Sequence, residues 1–173
     1  MSLSMYQASV PVFTQILGAL GTVLDKAAAH AAARKIDPAV LVAGRLAPDM
    51  FPLGRQVQIA CDFAKSAVAR LAGLEAPGWG DDEKTFAELS ARARKTADYV
   101  QGFKPAQIDG SETRDVTIKV GGKPLTFQGQ PYLLQFVLPN FFFHTTAAYA
   151  ILRHNGVELG KRDFMGRVPG MNA

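Results

Sequence analysis

The chain has 173 residues, 48% hydrophobic and 20% charged, a balance that fits one soluble domain with a continuous core and excludes a disordered chain. The formal net charge is +4, and the basic residues fall in short groups (Arg34-Lys35, Arg92 with Arg94-Lys95, Lys161-Arg162) interleaved with acids. Nucleic acid binding needs a concentrated basic stripe and a membrane span needs about 20 apolar residues, so neither partner is expected.

One cysteine, Cys61, rules out an intrachain disulfide and a cysteine zinc cluster, and in a helical pattern it reads as a small buried hydrophobe. The N-terminal MSLSMYQASVPVF does not have the layout of a secretory signal, which makes a cytoplasmic protein the expectation.

Taken in chain order, Tyr6, Val10, Phe13, Leu17, Leu20, Leu24 and Ala27 recur at steps of three and four and predict a first helix after Ser4. Pro11 either starts its straight part or kinks it. Asp37-Pro38 opens a short turn or helix. A second long helix is predicted from Pro52, with Val57, Ala60, Cys61, Ala64, Val68 and Leu71 on its apolar face and Gly73 as its stop. The segment EAPGWGDD, residues 75–82, reads as a loop. Thr85 with Glu88 has the spacing of a capping box for a third helix, whose stripe is Phe86, Leu89, Ala93, Ala97 and Val100.

The period then changes from helical to alternating. Val116, Ile118 and Val120 alternate with polar residues, Gly121-Gly122 follows, and a second alternating run begins at Lys123. Residues 113–128 therefore predict a β-hairpin, which must rest on the helices because an isolated hairpin is marginal. A fourth helix is predicted over about 130–154, kinked at Pro139 and enclosed on most sides by its phenylalanines, with an extended tail at 157–173. Phe164 and Met165 are expected to clip that tail to the bundle. The fold class is mainly α: an antiparallel four-helix bundle, with a hairpin inserted before the last helix, forming a single domain over 1–173.

The stretch LPNFFFHTTAAYAILRHNG, residues 138–156, carries the most chemistry. Asn140 and His144 are four residues apart and share one helix face, the geometry of a two-histidine metal pair with one histidine replaced by an amide. Two outcomes are open. The pair forms a satisfied polar cluster in the core, or it supplies the polar contacts of a small-molecule pocket lined by the phenylalanines. Candidate partners are Tyr99, Tyr132, Asp62, Arg55 and Asp49. Elsewhere, GVELGK at 156–161 falls short of a phosphate loop, and Gly121-Gly122-Lys123 is a hairpin turn.

The strings DMFPLGRQVQIACDFAKSAVARLAG (49–73) and LPNFFFHTTAAYAILRHNGVELGKRDFMG (138–166) resemble the DinB-like superfamily of bacterial four-helix bundles, in particular a branch known only as a domain of unknown function. The resemblance implies that metal-binding relatives hold a divalent ion with one histidine on the second long helix and an HxxxH pair on the fourth. Registered from Gly156, the pair falls on Asn140 and His144, and the third position falls on Ala60, beside Cys61. The resemblance thus implies a degenerate metal site with no cofactor, His144 being the one weak metal candidate for zinc or nickel. It further implies a small-molecule-binding or interaction module that forms a homodimer. The alternative is a metal- or thiol-dependent transferase with its pocket around His144; the candidate pocket residues are Asn140, His144, Tyr99, Asp62 and Arg55.

Overall fold

The structure, a computed structural model, describes residues 3–171. Four long helices build the bundle: α1 (Val10–Arg34), α3 (Leu53–Leu71), α4 (Phe86–Gln101) and α7 (Leu138–His154). Short helices α2 (Pro38–Val42), α5 (Pro105–Ile108) and α6 (Gly129–Pro131) punctuate the connections, and α8 (Lys161–Met165) closes the chain. The hairpin is β1 (Asp115–Val120) against β2 (Lys123–Gln128). Among the described residues no helix is long and apolar enough to cross a membrane.

The starts and stops follow local chemistry. Pro11 lies at the beginning of α1, where its missing N–H costs nothing, so it starts the helix and does not kink it. Thr85 and Glu88 form the expected reciprocal capping box on α4. In the hairpin, Asp115 pairs with Gln128 and Val120 with Lys123; Gly121 and Gly122 take positive φ values of 57° and 81°, which a two-residue turn matching the strand twist requires. Val116 and Ile118 are buried, so one face of β1 rests on the bundle.

Each long helix packs on two of the others, in the ring order α1, α4, α3, α7. Side-chain pairs give the directions. Tyr6 N–H donates to Asp109 at 2.8 Å while Ser90 donates to Asp25 at 2.8 Å, so α1 and α4 run antiparallel. Gln56 meets His144 and Arg70 meets Tyr132, so α3 and α7 are antiparallel too. The antiparallel packing expected from sequence therefore holds across these two interfaces. Phe13 packs on Phe141 and His30 approaches Gly156, which makes α1 and α7 parallel; Gly54 lies by Leu89 and Cys61 bonds to Thr96, which makes α3 and α4 parallel. The resulting order is up, down, down, up. It is possible because the 14 residues between Leu71 and Phe86 can reach about 46 Å, against the ~28 Å length of α3.

Three expectations are corrected. The fourth helix is not enclosed on most sides: Phe141 is buried, but Phe142 and Phe143 are 36% and 56% exposed. Nor does it kink simply at Pro139. Tyr132–Val137 is a π-helical turn, and α7 begins at Leu138 with Pro139 in its first turn; this wider turn accommodates the missing proline donor. The tail also differs from an extended segment. Residues 161–165 coil into α8 against α1, where Phe164 meets the edge of Tyr149 at 5.8 Å, Gln15 donates to the Met165 carbonyl at 2.9 Å and Lys26 pairs with Asp163 at 2.6 Å.

Candidate functional site

His144 lies on the side of α7 that faces α3 and is 8% exposed. Its Nδ1 is 2.7 Å from Gln56 Oε1, while Gln56 Nε2 donates to the Phe51 carbonyl at 3.1 Å. These contacts fix the tautomer. A carbonyl only accepts, so the Gln56 amide nitrogen must face Phe51, its oxygen must face His144, and Nδ1 must carry the proton. Nε2 is left with its lone pair. It takes no hydrogen bond from a described residue, and it is not among the sealed, unpartnered polar atoms, which are Arg92 Nε and Ser111 Oγ. It therefore reaches the surface. Phe63 stacks on the ring at 5.9 Å and Phe143 meets it edge-on at 5.2 Å. Burial, and then the positive charge of Arg55, lower the His144 pKa, favouring the neutral ring.

Beside this ring runs a cleft of about 250 Å³ between α3, the π turn and β1, with Arg55, Asp62, Phe63, Arg70, Lys119 and Phe136 in its walls. Arg55, Ile59, Asp62, Phe63, Ser66 and Arg70 recur at helical spacing, so one face of α3 forms the floor. Of the sequence candidates, Arg55 and Asp62 line this cleft. Arg55 is paired with Asp81, and Asp62 accepts from Lys65 at 2.9 Å and Arg92 at 3.0 Å.

Two other candidates are placed differently. Tyr99, on α4, packs on Trp79 and Phe103 on the other side of α3 and is not part of this cleft. Asn140 donates its amide to the Phe136 carbonyl at 2.7 Å, bonding to its own helix next to the π turn. Tyr132 accepts from Arg70 at 3.0 Å and does not reach His144 through any hydrogen bond in the structure. Sequence reasoning missed Gln56, which lies one helical turn before Ala60. The available signal was a glutamine beside the apolar stripe of α3, a position where burial demands a polar partner.

These surroundings do not fit zinc or nickel. The position registered on α3 is Ala60, which offers no donor atom, and the Gln56 oxygen is occupied by the His144 N–H. Cys61 is fully buried and bonded toward Thr96 on α4; burial pushes its thiol up to about 11, opposing the thiolate that a metal would need. Among the described residues no group of three His, Cys, Asp or Glu side chains could hold an ion.

A larger cleft, about 510 Å³, opens beside Trp79, Glu83, Glu88, Arg92 and Lys95. Arg92 and Glu88 in its walls are already engaged, Glu88 by the capping box of α4. Arg92 pairs with Asp62, Asp81 and Glu83, and Lys65 and Lys95 lie over the two-ring face of Trp79 at 4.5 and 4.3 Å. His144 does not itself line the smaller cleft, but Phe63, which stacks on its ring, and Arg55 do, and this cleft between α3, the π turn and β1 is the candidate site.

The up-down-down-up bundle with a hairpin before its last long helix defines the protein as a DinB-like helical bundle. It is similar to the crystal structure of a DinB family member protein from Shewanella denitrificans, with 42% identity over 97% of this chain and 95% of the other and a TM-score of 0.85. Residues 5–165 match the domain of unknown function DUF1993, and the chain belongs to that family. No curated protein matches it.

Proposed function

We propose that this protein is a small-molecule-binding module whose site is the cleft between α3, the π turn and β1, next to His144. The supporting observation is the cleft itself, where Ile59, Phe63 and Phe136 give an apolar wall and Arg55, Asp62, Ser66 and Arg70 give a few polar groups. An apolar wall carrying a few placed polar groups is the kind of surface that fixes a ligand's orientation in such sites. The transferase alternative draws on the lone pair of His144 Nε2, acting as a base.

The test is a ligand screen on the full chain with neutral, cationic and anionic fragments, followed by backbone amide shifts. Binding at residues 55–66 and 136–144, weakened by Phe63→Ala, is the expected result. If no fragment moves those resonances, the proposal fails. The same reading takes the protein as a cytoplasmic homodimer, supported by the exposed Leu134, Phe142 and Phe143 on the π turn and α7. Light scattering at 18.6 kDa, instead of twice that mass, would remove the dimer.

A further inference from the structure

We infer that the cleft between α3, the π turn and β1 selects a small carboxylate with an apolar body, its charge held by Arg70, with Lys119 at the cleft edge. This rests on the binding reading above and adds the chemical class.

Charge pairing carries the inference. Of the ionic groups in the cleft, Arg55 is matched by Asp81, and Asp62 by Lys65 and Arg92. Among the described residues neither Arg70 nor Lys119 has a carboxylate partner. The unmatched charge in the cleft is therefore positive. Arg70 is also held in place. Its Nη1 donates at 3.0 Å to the hydroxyl of Tyr132, a side chain only 1% exposed, so the guanidinium is anchored at the wall. Its Nε and Nη2 donate to no described residue and are not sealed from solvent. A planar fork with free donors suits a carboxylate better than a point charge does.

The remaining surface selects what the carboxylate is attached to. Phe63, Phe136, Ile59 and Val120 offer apolar contact, and Ser66 lies one helical turn before Arg70 on the same face of α3. Inorganic phosphate would leave those walls unused. A volume of about 250 Å³ falls just below the ~300–1,000 Å³ typical of drug-sized ligands, which favours a short acyl or aryl group. From Arg70 to Phe63 is about 10 Å along the helix axis, a span that octanoate or 3-phenylpropionate matches.

Calorimetric titration of the full chain with octanoate and 3-phenylpropionate, alongside their primary amides, tests this. The carboxylates are expected to bind saturably, with each amide about tenfold weaker for want of charge-assisted bonds. Arg70→Gln is expected to cost a similar factor. Because that variant also removes the Tyr132 partner, Lys119→Glu, on an exposed strand position, provides a second test and is expected to weaken binding with an unchanged melting curve. Parity between amide and carboxylate, or affinities unmoved by both substitutions, would overturn the inference. Amide parity combined with shifts at Phe63 and His144 would do so while leaving the binding reading intact, whereas silence from every fragment and both carboxylates removes the two together.

Discussion

His144 and Gln56 form a pair in which each residue decides what the other can do. Gln56 can offer only its oxygen to the ring, because its nitrogen is bonded to the Phe51 carbonyl. The neutral Nδ1–H tautomer follows, and protonation at Nε2 must work against burial and Arg55. The folded pKa lies below the ordinary 6.5, so the stability contribution is present above about 6.5 and is lost as the pH falls through the lowered value. Melting temperatures measured between pH 7.5 and 5 are expected to fall more for the native chain than for His144→Gln; equal falls would contradict this assignment. Replacing the amide oxygen by a carboxylate tests the orientation directly. Gln56→Glu is expected to raise the His144 pKa, since an anion beside Nδ1–H favours the imidazolium, and an NMR titration of the ring proton reads the shift. The sequence pointed to His144 through its place in an apolar helix. It could not supply Gln56, because α3 and α7 meet at a register fixed only when the bundle packs.

At the scale of elements, the connection between α3 and α4 is fastened above all by Arg92, with Arg55 and Gln58 also bonded to it. Arg92 has a side chain only 2% exposed and donates to the Gly80 carbonyl at 2.5 Å and to Glu83 at 2.9 Å, besides pairing with Asp62 and Asp81. It thereby fastens the loop that returns along the parallel α3 and α4. Arg92→Met is expected to cost about 2 kcal/mol, less than the ~3–5 of breaking a fully buried pair, because the carboxylates left behind are partly exposed and can be hydrated. Chemical denaturation measures the loss, and trypsin should cut the native chain at Lys84 faster in this variant; an unchanged cleavage rate would show that the loop is held otherwise. The capping box, the helix stripes and the hairpin were legible because each depends on neighbours within a few residues. The direction of α4 was not. A loop of Pro and Gly residues reads the same whether it turns back at once or runs the length of a helix.

At the scale of the molecule, the terminal segment behaves as part of the bundle. Phe164 packs on Tyr149, and Lys26 and Gln15 tie α8 to α1. Phe164 is only partly buried, so Phe164→Ala is expected to cost about 1–2 kcal/mol through lost apolar contact. It should also expose Lys161 and Arg162 to trypsin, with cleavage at those sites read by mass spectrometry. A variant as stable and as resistant as the native chain would mean that α8 contributes nothing to the packing. The sequence marked Phe164 and Met165 as contacts but left the tail extended, because five residues carry too little periodicity to announce a helix that only docking stabilises.

By itself the sequence determined the four long helices and the hairpin with its Gly121-Gly122 turn, and it singled out His144, since periodicity, caps and an out-of-place polar residue are local properties. The tertiary structure alone decided the up-down-down-up order, the partnership of His144 with Gln56, the placement of Tyr99 outside the cleft and the cleft shared by Arg55, Asp62 and Arg70. Each of those depends on which helix faces join. That choice is made by the collective burial of many apolar side chains, and no short stretch of residues encodes it.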